Sequence, residues 1–188
     1  MLKHLSSILA LICLSLAFSI PIIHSHQEKV EIVARAKEID AYFNKTEDTP
    51  KVSKYTYIAI LEIPDISLLS GLVAKDSPYN DIKYNIQILK ESTMPDIPRG
   101  NLILAAHNGN SSVSYFKDLE KMKPNAEVIV HYNDNKYIYE IATSYITKKD
   151  GEVNITRDIS RNTITLITCK NNSDTEQIVF IGYLKDVI

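Results

Sequence analysis

Two short apolar stretches of the sequence each end in a side chain that can take part in covalent or proton-transfer chemistry. Residues 163–169, T-I-T-L-I-T-C, end in Cys169, and residues 101–107, N-L-I-L-A-A-H, end in His107. A thiol beside an imidazole forms a Cys–His pair, in which the sulfur attacks a carbonyl carbon and the imidazole handles the proton. The alternative interpretation is that Cys169 is a small core residue without chemistry.

The sequence around both side chains places each of them at the end of a strand. Residues 163–168 are rich in β-branched Thr and Ile, which favour strand over helix. Polar residues follow at once, Lys170-Asn171-Asn172 after the cysteine and Asn108-Gly109-Asn110 after the histidine. Because a strand end beside a polar loop is open to substrate, the pattern predicts two strands that present the reactive pair at one site.

The elements that must position this pair are also predicted to be short strands. Asn133-Asp134-Asn135 predicts a hairpin turn between two of them. Many short strands with turn signals indicate a mostly-β domain, either a closed β-barrel or a sandwich. The predicted strands span residues 55–63, 68–74, 86–89, 102–106, 126–132, 136–145, 163–169 and 177–184.

The first 26 residues predict a membrane segment. Lys3 and His4 precede an apolar run over residues 5–23, which at about 1.5 Å per residue nearly crosses a hydrocarbon core of about 30 Å. A cleaved signal peptide is the alternative, because Ala17-Phe18-Ser19 resembles a cleavage site. The run is longer than a usual signal segment, which favours a single-pass anchor with Lys3 in the cytoplasm and the domain outside.

Export of the domain would leave Cys169 as a free thiol outside the cytoplasm. The sequence has two cysteines, and Cys13 lies inside the apolar run. The exported domain therefore has a single thiol, which excludes an intramolecular disulfide. A free thiol outside the cytoplasm indicates a reactive role.

The chain is expected to have three segments, and its composition excludes some classes of function. We expect a membrane anchor over 1–26, an amphipathic helix and linker over 27–54, and a catalytic domain over 55–188. At 188 residues with 45% hydrophobic content, the chain can build one real core. The net charge of −2 gives no sign of a nucleic-acid partner, and no HExxH or CxxC metal pattern is present.

Four stretches resemble the sortase family of Gram-positive surface enzymes. A-A-H-N-G at residues 105–109 and T-L-I-T-C at residues 165–169 match the histidine and cysteine motifs of that family. L-E-I-P at residues 61–64 resembles its opening strand, and residues 178–184 match its last strand. The resemblance implies a closed sortase-like β-barrel with short helices, of a compact class A or class D type. One of these helices would follow His107, where Ser114, Tyr115, Phe116 and Leu119 lie.

The resemblance also implies a reaction and its partners. Cys169 would attack a backbone carbonyl of an LPxTG-like sorting signal on a surface protein, forming a thioacyl intermediate. An amine of a cell-wall precursor or a pilin lysine would then release the product. We therefore expect a membrane-anchored cysteine transpeptidase, a thiol protease by its first step, that acts on the extracellular face of the cell membrane.

One position departs from the family pattern. The family places an arginine on the strand after the cysteine, and the matching residue here is Gln177. The candidate third catalytic residue, which supports the oxyanion, is therefore Gln177, or else Arg157 or Arg161 from the loop before the cysteine strand. Two alternatives follow: a catalytically degenerate sortase-like protein that binds and assists surface-protein or pilus assembly, and an unrelated exported β-domain with a coincidental thiol.

The loop before the cysteine strand bears on cofactors. Residues 147–160 form a short loop, and the resemblance implies that this loop forms part of the wall of the substrate groove. Asp150 and Glu152 are calcium candidates by likeness to some class A sortases, but a solvated loop is the simpler expectation. No cofactor and no resident metal are predicted.

Overall fold

The computed structural model of the protein describes residues 30, 33–44 and 55–188. The predicted membrane segment, residues 1–26, lies outside this part of the chain. Across the described residues, no helix has both the length and the apolar character that a membrane span requires. Residues 33–44 form helix α1, inside the stretch expected to be amphipathic.

Eight strands form one sheet that almost closes into a barrel. They pair in the order β2-β1-β5-β6-β8-β7-β4-β3, and all pairs are antiparallel except β4 with β7. The two outer strands approach each other where Asn85 Nδ2 donates to the Gly71 carbonyl oxygen over 3.1 Å. The mostly-β barrel prediction is confirmed. The strands are β1 (Tyr57–Ile63), β2 (Leu68–Val73), β3 (Gln87–Ile88), β4 (Asn101–Ala105), β5 (Glu127–Tyr132), β6 (Asn135–Lys148), β7 (Thr163–Cys169) and β8 (Glu176–Val187).

The hairpin between β5 and β6 forms where it was predicted. Asn133 and Asp134 have φ values of 49° and 64°, as a two-residue turn with two left-handed residues requires. β6 continues past its predicted end at Tyr145, because its backbone pairs with β8 as far as Lys148 and Glu176. Backbone pairing needs no apolar alternation, so this extension has no clear sequence signal.

The prediction of a helix after His107 is wrong. Residues 111–118 form turns, and the 3-10 helix Leu119–Lys121 follows them. The backbone N–H of Phe116 donates to the His107 carbonyl oxygen over 3.1 Å, and Leu119 N–H donates to Phe116 over 3.3 Å. The backbone N–H of Phe116 therefore holds this segment against His107. The other backbone hydrogen bonds here join residues three apart, as in a 3-10 turn, whereas an α-helix joins residues four apart.

Alternate residues of β4, β7 and β8 pack into two separate apolar clusters. The barrel interior contains Leu104, Leu166 and Phe180 among its buried side chains. The side chains on the other face of these strands, Ile103 and Ile167 among them, pack against Val153 and Ile155 of the loop after β6. Side chains alternate between the faces of a strand, so Cys169 shares the face of Ile167 and not the barrel interior.

Helix α1 packs on the outside of the barrel at β1 and β5. The Tyr42 hydroxyl donates to the His131 carbonyl oxygen over 3.0 Å. Arg35 Nη2 donates to the Tyr84 carbonyl oxygen over 2.9 Å. These bonds tie the helix to β5 and to the turn before β3, and not to the strands that lead to His107 and Cys169.

Candidate active site

The site begins with the parallel pairing of β4 and β7. Ala105 is the register partner of Ile167, and the pairing continues past the end of β4. Ala106 N–H donates to the Ile167 carbonyl oxygen over 3.3 Å, and Thr168 Oγ1 donates to the Ala106 carbonyl oxygen over 2.9 Å. The next residue along each strand is His107 and Cys169, so the two strands deliver them to the same level of the barrel.

His107 and Cys169 line one open cavity of about 630 Å³. Both side chains are half-buried, and Cys169 is the free cysteine of the described chain. The cavity also takes in Asn108 and Gly109 from the histidine side and residues 170–174 from the cysteine side. The structure therefore brings the two predicted residues together at a solvent-accessible site.

The loop after Cys169 is a tight return from β7 to β8. Lys170 N–H donates to the Glu176 carbonyl oxygen over 3.1 Å, and Ser173 N–H donates to Lys170 over 3.3 Å. Asn172 takes a left-handed conformation with φ of 58°, which Asn tolerates better than most residues. The run of polar residues that predicted the end of β7 is thus the turn that forms one wall of the cavity.

Asn108 links the histidine loop to the cysteine loop. Its Nδ2 donates to the Cys169 carbonyl oxygen over 2.9 Å and to Asn171 Oδ1 over 2.8 Å. The Asn171 backbone N–H in turn donates to Glu120 Oε1 over 2.7 Å. From the sequence, Asn108 was predicted only to end a strand. Its role in linking the loops could not be predicted, because nothing in the sequence fixes the pairing of the two loops.

Lys149 contacts the sulfur of Cys169, a contact that the sequence interpretation also missed. Its Nζ lies 3.3 Å from Cys169 Sγ, and Lys149 lines the same cavity. The residue comes directly after β6, and its backbone N–H donates to the Thr175 carbonyl oxygen over 2.8 Å. The unexpected length of β6 is what carries this side chain to the thiol.

Gln177 is the register partner of Cys169 across β7 and β8. Its Nε2 donates to the Lys148 carbonyl oxygen over 3.0 Å and to the Glu152 carbonyl oxygen over 3.5 Å. An amide nitrogen has two N–H donors, so both are engaged with the backbone of the loop after β6. In this structure Gln177 therefore has no donor left for an oxyanion at Cys169.

Arg157 and Arg161 lie at the far end of β7. Arg157 Nη1 donates to Thr163 Oγ1 over 3.2 Å, and the Arg161 guanidinium lies 4.1 Å from the centre of the Tyr183 ring. Thr163 begins β7 and Cys169 ends it, which at about 3.3 Å per residue separates them by roughly 20 Å. The structure does not bring either arginine to the thiol.

Lys170, the second lysine of the cavity, is half of an ion pair. Its Nζ lies 3.0 Å from Glu176 Oε2, and this hydrogen bond holds the pKa of the Glu176 carboxyl below its ordinary value. The positive charge of Lys170 is thus partly balanced within the protein.

The loop that holds the calcium candidates shows a local turn. Glu152 N–H donates to Asp150 Oδ1 over 3.4 Å. Among the residues that the structure describes, no group of three His, Cys, Asp or Glu side chains is arranged to hold a metal ion.

Comparison with known proteins gives the family. Residues 61–185 match the model of the sortase domain. The fold is similar to a Clostridium perfringens sortase D5 transpeptidase, with a TM-score of 0.63, 19% identity, and coverage of 82% of this chain and 99% of that one. It is also similar to Listeria monocytogenes sortase A, with a TM-score of 0.58, 20% identity, and coverage of 70% and 88%.

A third similar structure is sortase C1 of Streptococcus suis, with a TM-score of 0.61, 20% identity, and coverage of 69% of this chain and 73% of that one. A search of curated protein sequences found no match. At such identities the three structures show a shared fold, while the domain model covers most of the chain. The chain therefore belongs to the sortase family, a family of cysteine transpeptidases, as its histidine and cysteine motifs predicted.

Proposed function

We propose that this protein is a sortase-type transpeptidase that cleaves an LPxTG-like sorting signal and joins the surface protein to an amine. The observation that carries the proposal is the parallel pairing of β4 and β7, which ends with His107 and Cys169 on one cavity of about 630 Å³. An open cavity, a free thiol and an imidazole at one level of the barrel are parts that acyl transfer requires.

The first half-reaction forms a thioacyl enzyme. Cys169 Sγ attacks the carbonyl carbon of the scissile peptide bond, and the carbonyl oxygen takes the negative charge. The tetrahedral species collapses as the carbon–nitrogen bond breaks, and the His107 imidazolium gives a proton to the leaving amine. The C-terminal fragment of the surface protein departs, and the remainder stays attached to sulfur.

The second half-reaction transfers the acyl group. The acceptor amine gives a proton to neutral His107 and attacks the thioester carbon. The carbon–sulfur bond then breaks and returns the Cys169 thiolate beside an imidazolium. A cell-wall precursor and a pilin lysine both supply a primary amine, so we propose these as the acceptor classes.

The proposed location is the outer face of the cell membrane. Residues 1–26 carry the apolar run that motivates it, and the sorting-signal substrate requires a domain outside the cytoplasm. Protease added to intact cells should remove the domain while leaving a cytoplasmic marker intact. Full protection of the domain in intact, wall-stripped cells would contradict the proposed orientation.

Mass spectrometry of the purified domain tests the reaction itself. Incubation with LPxTG-like peptides should add an acyl mass to Cys169, and adding an amine should remove it as a transpeptidation product. Cys169→Ala is the matched control and should stay unmodified. If no peptide of a sorting-signal library acylates the parent domain, the proposed catalytic function is wrong.

A binding protein without catalysis is the second candidate. It is favoured by Gln177, whose N–H donors are engaged with the Lys148 and Glu152 carbonyl oxygens. Such a protein should bind sorting peptides tightly, as measured by calorimetry, yet show no acyl adduct. Gln177→Arg should then restore nothing, whereas a gain in turnover would argue against this candidate.

A further inference from the structure

The ammonium group of Lys149 lies against the thiol of Cys169. Nζ donates a hydrogen bond to Sγ over 3.3 Å, and both residues line the cavity that includes His107. We infer that Lys149 is a third catalytic residue, which supplies positive charge to the Cys169 sulfur and to the oxygen of the attacked carbonyl. The inference rests on the proposed function, because it names the cation for that reaction.

The backbone around Lys149 is held so that its side chain reaches the sulfur. Lys149 N–H donates to the Thr175 carbonyl oxygen over 2.8 Å. Gln177 Nε2 bonds the carbonyl oxygens of Lys148 and Glu152, over 3.0 and 3.5 Å. Lys149 lies between these two carbonyl groups in sequence, so Gln177 fastens both sides of the turn that carries it. Gln177 therefore positions the turn from which Lys149 contacts the thiol.

The charges around the cavity single out Lys149. Lys170, the other lysine on the cavity, lies 3.0 Å from the Glu176 carboxylate. No ion pair of the described residues includes Lys149. Asp174 also lines the cavity, but the described contact of the Lys149 ammonium is the sulfur of Cys169. Its charge is therefore directed at the reacting atom.

The arginines of the chain do not offer this charge. The sequence has four arginines. Arg35 contacts the ring of Tyr55 and the carbonyl oxygen of Tyr84. The other three meet at the start of β7, where Arg157 Nη bonds the carbonyl oxygens of Arg99 and Arg161 over 3.3 Å each. Lys149 is thus the described cation that contacts the thiol.

The chemistry follows from where negative charge sits in each step. A cation beside the sulfur stabilises the thiolate, the form that attacks. As the sulfur–carbon bond forms, this charge moves to a carbonyl oxygen two bonds from the sulfur, and a flexible lysine stem can follow it. Lys149 forms and breaks no covalent bond in either step, so bonds and protons balance as in the two half-reactions above.

Two rates test the role of Lys149. The first is the alkylation of Cys169 by iodoacetamide at neutral pH, and the second is thioacyl formation with an LPxTG-like peptide. Lys149→Met, which keeps the length of the stem and removes the charge, should slow alkylation about tenfold and acylation about 10²-fold. The loss should appear in kcat and leave KM within about twofold, because the charge acts on the reacting atoms.

Charge and location are separated by two further variants. Lys149→Arg should recover most of both rates, since it restores a cation. Lys90→Met removes the same charge from an exposed turn away from the cavity and should match the parent in both rates. Circular dichroism melting of each variant establishes that the domain is folded, and Lys149→Gln replaces Lys149→Met if the latter melts early.

The outcomes distinguish this inference from the proposed function. If Lys149→Met equals Lys90→Met in alkylation and in acylation, the role of Lys149 is overturned while the transpeptidase proposal stands. If the parent forms no thioacyl adduct but Lys149→Met still slows alkylation, the proposed function fails and the influence of Lys149 on the thiol remains. Loss of both rates in Lys149→Met with recovery in Lys149→Arg supports the inference.

Discussion

The two ends of β7 both gather cationic side chains, but they use them differently. At the Thr163 end, Arg157 bonds Thr163 Oγ1 and two backbone carbonyl oxygens, and Arg161 stacks over the Tyr183 ring. At the Cys169 end, Lys149 directs its ammonium at a thiol in an open cavity.

The difference lies in what the donors of each cation contact. The guanidinium at the Thr163 end makes its bonds to acceptors that belong to the fold, so it holds loops together. The ammonium at the Cys169 end contacts the one reactive atom of the strand. The structural and the functional cation at the two ends of β7 are therefore distinguished by their contacts and not by their residue type.

The largest effect should come from removing the imidazole at the Cys169 end. His107→Ala should lower the rate of thioacyl formation about 10³-fold, because general acid–base catalysis typically contributes 10²–10⁴-fold. His131→Ala is the control, since His131 pairs with Glu62 at 2.9 Å on another part of the barrel. Quenched-flow mass spectrometry measures both. Equal rates for the two variants would show that the chemistry does not involve His107.

A smaller effect should follow from cutting the link between the two loops of the cavity. Asn108→Ala removes hydrogen bonds of 2.9 and 2.8 Å to the Cys169 carbonyl oxygen and Asn171 Oδ1. We expect acylation to slow about tenfold, because misplaced reacting groups lose rate steeply. Asn110→Ala, an exposed neighbour, should have no effect. An unchanged rate in Asn108→Ala would mean that the loops hold their positions independently.

The Thr163 end should respond in stability and not in activity. Arg157→Ala loses three described hydrogen bonds on exposed or half-buried groups. The free energy of unfolding should fall by about 1 kcal/mol, with acylation within about twofold of the parent. Urea titration and the acylation assay measure the two quantities. A large loss of acylation in folded Arg157→Ala would break the distinction between the two ends.

The smallest effect concerns one carboxyl group at each end of β7. Hydrogen bonds from Ser160 lower the pKa of Asp158, and the Lys170 ammonium lowers the pKa of Glu176. A lowered pKa in the folded state gives stability that is present above the ordinary values of 3.8 and 4.5. That stability is lost as pH falls through the lower folded values.

Urea midpoints between about pH 6 and pH 2.5 measure this acid dependence. Asp158→Asn and Glu176→Gln should each flatten a small part of the acid decline, and their effects should add because the residues lie at opposite ends of β7. Asp158 is exposed and Glu176 is half-buried. Solvent screens both carboxyl groups, so each change should be small. A steeper decline in either variant would contradict the assigned cause.

Much of the fold was predictable because local patterns specify it. The β-branched run before Cys169 predicts β7, and Asn133-Asp134 predicts the turn that the structure contains at the β5–β6 hairpin. The polar residues after Cys169 predict where β7 ends. Such features depend on neighbours in sequence, which is the information that a pattern holds.

The parts that could not be predicted depend on contacts between distant segments. Lys149 reaches Cys169 because β6 pairs with β8 for longer than its side-chain alternation indicates. Asn108 bonds the Cys169 carbonyl oxygen across 61 residues of sequence. The turns after His107 replace a helix because Phe116 bonds back to the histidine. Pairing of this kind leaves no local trace.

A crystal structure of the domain trapped with a sorting peptide would show whether His107 and Cys169 act together on one bound substrate. The peptide would carry a thiol-reactive carbon in place of its scissile carbonyl. We expect a covalent bond from that carbon to Cys169 Sγ, the peptide in the cavity beside Asn108, and the His107 ring within about 4 Å of the sulfur. A His107 ring more than about 10 Å from Sγ, or a peptide bound elsewhere on the barrel, would contradict it.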